Sequence, residues 1–247
     1  MRAAYDMIYH DIRDSIEQGF YNYRDFLPSE GFLTQKYGCA HNTVRKALSI
    51  LAEEGYIQSI HGKGVRVLYH STPLLTTDVH AFAQAGFEPL GFNPLTVHES
   101  EVITRSVLRM EDFDYDQEFA EKTGFSRGGS CVLIERLHSI DGTPIERETS
   151  YVRSDAVRGI TEEEATEPLV NCIEANGGRI VTVKESFTVS KASARDCEVL
   201  NLSPDDYVIV ITQAFFDHEG LLCKFSELSR IPSAFAYLHT RIHSKLD

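Results

Sequence analysis

The chain has 247 residues, 42% of them hydrophobic and 25% charged, the make-up of a globular protein with one large or two modest domains and not of a disordered chain or a disulfide miniprotein. No apolar run approaches the roughly 20 residues that cross a bilayer, and residues 1–10 carry Asp6 and His10 among their apolar positions, so neither a membrane span nor an export signal is expected. The net charge of −13 excludes a polyanion-binding surface spread over the whole chain, yet residues 1–70 are neutral, with 8 basic against 8 acidic side chains, and residues 71–247 carry the excess, 16 against 29.

Tyr5, Ile8, Ile12 and Ile16 recur at spacings of three and four ahead of Gly19, and predict an amphipathic first helix with a glycine stop. Ser29, in Leu27-Pro28-Ser29-Glu30, is placed to cap a short second helix with Phe32, Leu33 and Tyr37 on its apolar side and Gly38 at its end. Thr43 opens a predicted third helix. Its buried stripe is Val44, Ala47, Leu48 and Leu51, its other faces hold Asn42, Thr43, Arg45, Lys46 and Ser49, and Gly55 closes it. Two strand-like runs, 56–59 and 65–68, flank Ile60-His61-Gly62-Lys63-Gly64, whose glycines allow a narrow hairpin tip. Between residues 36 and 66, Lys36, Arg45, Lys46, Lys63 and Arg66 outnumber Glu53 and Glu54, so this stretch can present a locally basic surface or simply a solvated mixed one.

Three helices followed by a basic β-wing let the third helix enter a major groove about 12 Å wide while the wing meets backbone or minor groove. Here the sequence resembles the winged helix-turn-helix of the GntR superfamily. The resemblance rests on Leu27-Pro28-Ser29-Glu30, Thr43-Val44-Arg45-Lys46-Ala47-Leu48, Leu51-Ala52-Glu53-Glu54-Gly55-Tyr56-Ile57 and His61-Gly62-Lys63-Gly64, in the family's order, and covers nearly all of residues 5–68. It implies that operator DNA is read by Thr43 and Arg45 on the recognition helix and by His61, Gly62 and Lys63 in the wing. His41, Asn42 and Lys46 on the same helix complete the expected contact set. Two positions depart from the family: Gly31 stands where a basic or polar residue often follows the Pro-Ser-Glu motif, and Ala40-His41 stands where Ser-Arg often opens the helix. Fewer fixed cations there imply an altered base preference.

Tyr69-His70-Ser71-Thr72-Pro73 breaks the wing strand, so the expected division is a DNA-binding domain over 1–68, a linker over 69–76 and a second domain over 77–247. Asp78 is placed to cap a short helix running to Gly86, and an alternating stretch spans 95–108. A pattern then occurs twice. The first copy is helix-like over 116–123, has a turn at Gly128-Gly129, a strand over 131–140, an Asp141-Gly142 turn and a strand over 144–152. The second is helix-like over 193–200, turns at 203–206, has a strand over 207–216, a Glu219-Gly220 turn and a strand over 221–231. Residues 168–175 between them read as helix and 180–190 as strand. The offset of 78 residues between Gly142 and Gly220 is too long for a solenoid repeat and suggests a paired α+β domain, with a mostly antiparallel sheet.

This arrangement is similar to the UTRA effector domain of the HutC subfamily, a chorismate lyase-like fold, over about residues 76–236. The marks are Arg136, Asp141-Gly142-Thr143-Pro144, Glu148-Thr149-Ser150-Tyr151 and Ser226-Glu227-Leu228-Ser229, and within HutC the runs 193–210 and 225–235 look most like trehalose operon repressors. Alternation puts Val132, Ile134, Arg136 and His138 on one face of a strand. The resemblance implies a phosphate-binding pair two residues apart at this place, because a guanidinium fork matches phosphate; this chain keeps Arg136 and has His138 as the second member. Glu148 and Glu227 match carboxylates that accept from sugar hydroxyls, and Tyr151 can stack or donate. Each has a plainer reading as well: Arg136 as a cross-strand ion pair with Glu146 or Glu148, His138 as a bystander, Glu227 as surface, Tyr151 as core.

Nothing marks a catalytic constellation. There is no Gly-x-Ser-x-Gly elbow, no phosphate loop and no His-Glu-x-x-His helix, so no enzyme, cofactor or metal is expected, a diverged chorismate lyase-like enzyme remaining the formal alternative. Five scattered cysteines without a Cys-x-x-Cys pair fit free thiols in a cytoplasmic protein. The expectation is a homodimeric transcriptional repressor, with operator DNA and a small effector, a sugar phosphate first or else a non-sugar metabolite, as its partners.

Overall fold

The structure, a computed structural model, describes residues 4–69, 103–126 and 128–235. The helix expected at 78–86, the first part of the alternating run and all of the expected linker but Tyr69 lie outside these residues.

Helix α1 (Ala4–Glu17) buries Ile8, Tyr9, Ile12 and Ile16. In α2 (Glu30–Tyr37) the Ser29 hydroxyl accepts the Phe32 N–H at 3.2 Å, and Gly38 ends the helix in the left-handed region at φ 59°. Of the predicted apolar side of α2, Leu33 alone is fully buried; Phe32 is exposed, and Tyr37 is half-buried with its hydroxyl turned to Asp11. Helix α3 (His41–Glu53) starts two residues before the predicted Thr43, with Ala40 at a cap position that offers no side-chain acceptor. Val44, Ala47, Leu48 and Leu51 pack on the buried side of α1. Strands β1 (Ile57–Ile60) and β2 (Gly64–Val67) pair antiparallel as the wing.

The second unit is one antiparallel sheet in the order β3-β4-β5-β8-β7-β6. Its first half is β3 (Ile103–Tyr115), α4 (Gln117–Thr123), β4 (Gly129–Ile140) and β5 (Thr143–Arg153). After α5 (Leu169–Ala175), the second half is β6 (Ile180–Lys191), α6 (Ala194–Leu200), β7 (Tyr207–Asp217) and β8 (Leu222–Arg230). The strand before each helix therefore belongs to the repeat, and the halves meet along the β5–β8 seam. The Asp141-Gly142 turn has φ 48° and 79°, the primed conformation that suits a two-residue hairpin. A capping box on Ser193 and Asp196 starts α6.

One face of the sheet carries α4 and α6; there Tyr115, Ala120, Phe125, Cys131, Ala214, Phe216, Leu222 and Phe225 form a core that also takes Leu68 from the end of the wing. The other face is covered by the short turns Ser154–Ala156 and Glu164–Thr166 and by α5, through Ala156, Ala165, Leu169 and Ile173 on Val132, Ile134 and Val152. All five cysteines are free. Among the described residues no helix is long and apolar enough to cross a membrane.

Candidate DNA-binding surface and effector site

The buried stripe of α3 faces α1, which leaves His41, Asn42, Arg45 and Lys46 exposed and Thr43 half-exposed. Arg45 reaches back to α2, its Nε 2.8 Å from Glu30 Oε2, yet the side chain stays 66% exposed. Lys46 turns the other way, its Nζ 4.0 Å from the centre of the Tyr5 ring. His41 Nδ1 lies 3.4 Å from the Thr34 hydroxyl. His61, Gly62 and Lys63 form the exposed wing tip, where φ of 71° at Gly62 and 113° at Gly64 needs glycine. Recognition helix and wing tip are thus both free of the helical core.

The five residues expected at the effector site do not share one place. Register sets Arg136 opposite Glu148, and Glu148 opposite Leu228; His138 is two residues along from Arg136, so Arg136, His138 and Glu148 share a face. Tyr151 is an odd number of residues from Glu148 and pairs with Leu133 and Phe225, while Glu227 is opposite Thr149, so both point to the other face. There Tyr151 packs in the aromatic core against Phe113 and Phe119, with ring centres 5.8 and 4.9 Å away. A single pocket drawn from all five residues is not what this register allows.

On the first face the structure assembles a buried polar network. Arg136 Nε donates to Glu148 Oε2 at 3.0 Å, its Nη2 donates to the same oxygen, and its Nη1 donates to the backbone oxygens of Ala165 at 3.0 Å and Glu167 at 2.7 Å. Glu148 Oε1 accepts from the Ser150 hydroxyl at 2.6 Å and lies 3.2 Å from Lys224 Nζ. Arg230 forks onto Glu146 Oε2, with Nε at 2.5 Å. His138 Nδ1 sits 2.9 Å from Glu146 Oε1, whereas its Nε2 stands at ion-pair distance, 3.1 Å, from Glu148 Oε2 and has no hydrogen-bond partner among the described residues. Glu185, further out on β6, accepts from Gln213 at 2.5 Å.

Burial works against every charge here, and the network decides which survive. Burial raises the Glu148 carboxyl, but Lys224, Arg136 and His138 outweigh it and hold the group well below the usual carboxylate range. Burial lowers His138, and the contact with Glu146 together with the charges of Glu146 and Glu148 overcomes this and raises it. Burial also lowers Lys224, opposed by Glu148. Three buried basic groups, Arg136, Arg230 and Lys224, the last with its ammonium disfavoured by burial, surround Glu146 and Glu148, with Glu185 half-buried beside them and a histidine held toward its charged form.

Glu146, Lys224 and Arg230 were not among the expected site residues. A usable signal exists: alternate positions of β8 read Lys224, Ser226, Leu228 and Arg230, and a central strand whose inward side is mostly polar marks a buried network rather than a core.

A winged helix-turn-helix joined to an antiparallel domain with a buried charged face defines a DNA-binding regulator with a ligand-responsive domain. Residues 4–67 match the family described as bacterial regulatory proteins, gntR family, and residues 98–235 match the UTRA domain; the chain belongs to the GntR-type transcriptional regulators that carry a UTRA domain. It is 28% identical over 228 residues to the HTH-type transcriptional regulator TreR of Bacillus subtilis, 89% of each chain being covered. In fold it is similar to the possible transcriptional regulator YydK of Bacillus subtilis, with a TM-score of 0.54 at 20% identity, over 98% of this chain and 100% of that one. It is likewise similar to PhnF of Mycobacterium smegmatis, with a TM-score of 0.52 at 16% identity over the same shares.

Proposed function

We propose that this chain is a cytoplasmic, sequence-specific repressor of a sugar-utilisation operon, released from its operator by a small anionic effector such as trehalose 6-phosphate or another sugar phosphate. Residues 1–68 bind DNA through His41, Asn42, Thr43, Arg45, Lys46, His61, Gly62 and Lys63, residues 69–76 link, and residues 77–247 take the effector. A homodimer places two recognition helices on half-sites one turn, about 34 Å, apart. The chain acts by binding alone, without catalysis.

The observation that carries the effector reading is that, among the described residues, Arg136, Lys224, Arg230 and His138 meet two fully buried carboxylates, Glu146 and Glu148, with Glu185 half-buried beside them. Buried charge is costly unless matched, so an anion that enters this face meets basic groups able to match it. Glu148 now occupies Arg136, so a phosphate must exchange with that carboxylate. The same fact favours a second reading, a non-sugar metabolite with a weaker demand on Arg136, to which His138 in place of a second arginine is suited.

A thermal-shift panel separates these. Trehalose 6-phosphate at a hundred times its dissociation constant is expected to stabilise the protein by about 2.7 kcal/mol, with no response to trehalose or to inorganic phosphate alone at the same concentration. A response confined to organic acids would overturn the sugar-phosphate assignment and keep the regulator.

A further inference from the structure

The turn between β7 and β8 reaches across to the wing. Lys63 Nζ lies 2.6 Å from Glu219 Oε1, and Arg66 Nη1 donates to the Glu219 backbone oxygen at 2.5 Å. The turn is held by Asp217, whose Oδ1 accepts the N–H groups of Glu219 at 2.9 Å and Leu221 at 3.0 Å. From β1, Gln58 Nε2 donates to the Asp217 backbone oxygen at 2.9 Å, and its Oε1 accepts from Thr182 at 2.8 Å. Lys184 Nζ donates to the Leu68 oxygen at 2.9 Å.

Two glycines mark how close the approach is. A Cβ at Gly220 would stand 3.0 Å from Arg66 Cδ and 3.3 Å from Leu68 Cδ2, at a φ of 70° that already favours glycine; a Cβ at Gly55 would stand 3.0 Å from Lys184 Cε. The contact is built from both sides, by backbone, side chain and core packing.

This turn engages both fixed cations of the wing, Lys63 and Arg66. A wing on DNA needs the Lys63 ammonium for a phosphate, and in this arrangement the Glu219 carboxylate already holds it. Strand β8 leads from the turn straight into the buried network: Lys224, four residues past Gly220, pairs with Glu148.

We infer that the β7–β8 turn is a latch that holds the wing off DNA, Glu219 standing on Lys63 where a DNA phosphate would stand. The inference rests on the reading of the chain as a DNA-binding regulator. Binding on the charged face favours or disfavours the latch through Lys224 and β8, to the extent of its differential affinity for the latched and open arrangements. An effector that releases DNA is one that favours the latch.

The test uses the full chain and a duplex enriched by the wild-type protein from a randomised library, with binding followed by fluorescence anisotropy. Glu219→Gln removes the competing charge and keeps the shape. Asp205→Asn removes the same charge at the opposite end of the 11-residue β7, where the side chain is 95% exposed and pairs with Lys191, the strand's length of about 35 Å exceeding a Debye length of about 8–10 Å. Glu219→Gln is expected to bind about two- to fivefold tighter than wild type, the range of an exposed ion pair, and Asp205→Asn to bind as wild type does. In a Lys63→Ala background the gain from Glu219→Gln is expected to vanish. A Glu219→Gln affinity equal to that of Asp205→Asn, or a gain that persists without Lys63, overturns the latch while the DNA-binding reading stands. If neither wild type nor Glu219→Gln retains any duplex, the DNA-binding reading fails and takes the latch with it.

Discussion

Glu148 stands directly opposite Arg136 in the β4–β5 ladder and accepts from two of its guanidinium nitrogens, both residues being buried. One step along, His138 and Arg230 flank Glu146 in the same way from β4 and β8. The face is a short ladder of ions inside the protein, and its contribution to stability differs in kind from that of a surface pair.

Removing Glu148 leaves the buried Arg136 and Lys224 without their carboxylate. Glu148→Met is expected to lower stability by about 3–5 kcal/mol, whereas adding Arg136→Met recovers part of the loss, Lys224 still lacking its partner. Urea unfolding at neutral pH measures both. A single-variant loss below about 1 kcal/mol, the range of exposed pairs, would show that water reaches the network.

The signs of pH dependence follow from the shifts. Glu148 is lowered on folding, so its contribution is present above the unfolded value near 4.3 and is lost as pH falls through the folded one. His138 is raised, so its contribution is full below about 6.5 and is lost as pH rises through the folded value. His138→Gln is expected to remove that second loss. Urea midpoints for the two proteins that diverge below about pH 6.5 and converge as pH rises above it would agree; a constant offset would contradict the assignment.

How much of this was legible in the sequence depends on the range of the forces involved. The α3 stripe of Val44, Ala47, Leu48 and Leu51, the Ser29 cap and the Asp141-Gly142 turn are set by neighbours within a few residues, and they stand where the pattern put them. Ala40 shows the limit: with no capping side chain, α3 begins at His41, ahead of the Thr43 that capping chemistry selects. Residues 148 and 151 have opposite parity in one strand, so the separation of Glu148 from Tyr151 is readable once β5 is known to be unbroken. The place of Glu227 is not. It depends on the β5–β8 register, fixed by contacts more than seventy residues apart in the chain. Glu219 against Lys63 is likewise a product of how the two units meet, and no local pattern announces it.

Lys184 supplies a test of that meeting. Burial, with no carboxylate partner among the described residues, pushes its ammonium down to about 7, and it donates to the Leu68 backbone oxygen. The unfolded chain then binds more protons than the folded one between about 7 and the unfolded value near 10.4, so this residue makes stability rise with pH across that window. Lys184→Met is expected to abolish the rise, while leaving the Leu68 oxygen without its donor at about 1–3 kcal/mol at every pH. Unfolding midpoints at neutral and alkaline pH decide; a rise that persists in the variant would show that Lys184 is not the group responsible.

The recognition helix makes a separate prediction. Because Arg45 is 66% exposed, Arg45→Ala is expected to leave thermal stability within about 0.5 kcal/mol of wild type. Its affinity for a selected duplex is expected to fall by about 1–3 kcal/mol, with relaxed preference at one base pair if the contact is to a base edge, or evenly across sequences if it is to a phosphate. Unchanged affinity in a gel-shift titration would remove Arg45 from the interface.

The most direct test of the account is release of DNA by the effector. A fluorescein-labelled duplex selected by the protein is bound to saturation, and trehalose 6-phosphate or trehalose is titrated into the complex. The account predicts loss of anisotropy with the phosphorylated sugar, none with trehalose, and a midpoint that moves to higher effector concentration as more free protein competes for it. Equal release by both sugars, or release by neither while the thermal panel shows the phosphorylated one bound, would contradict it.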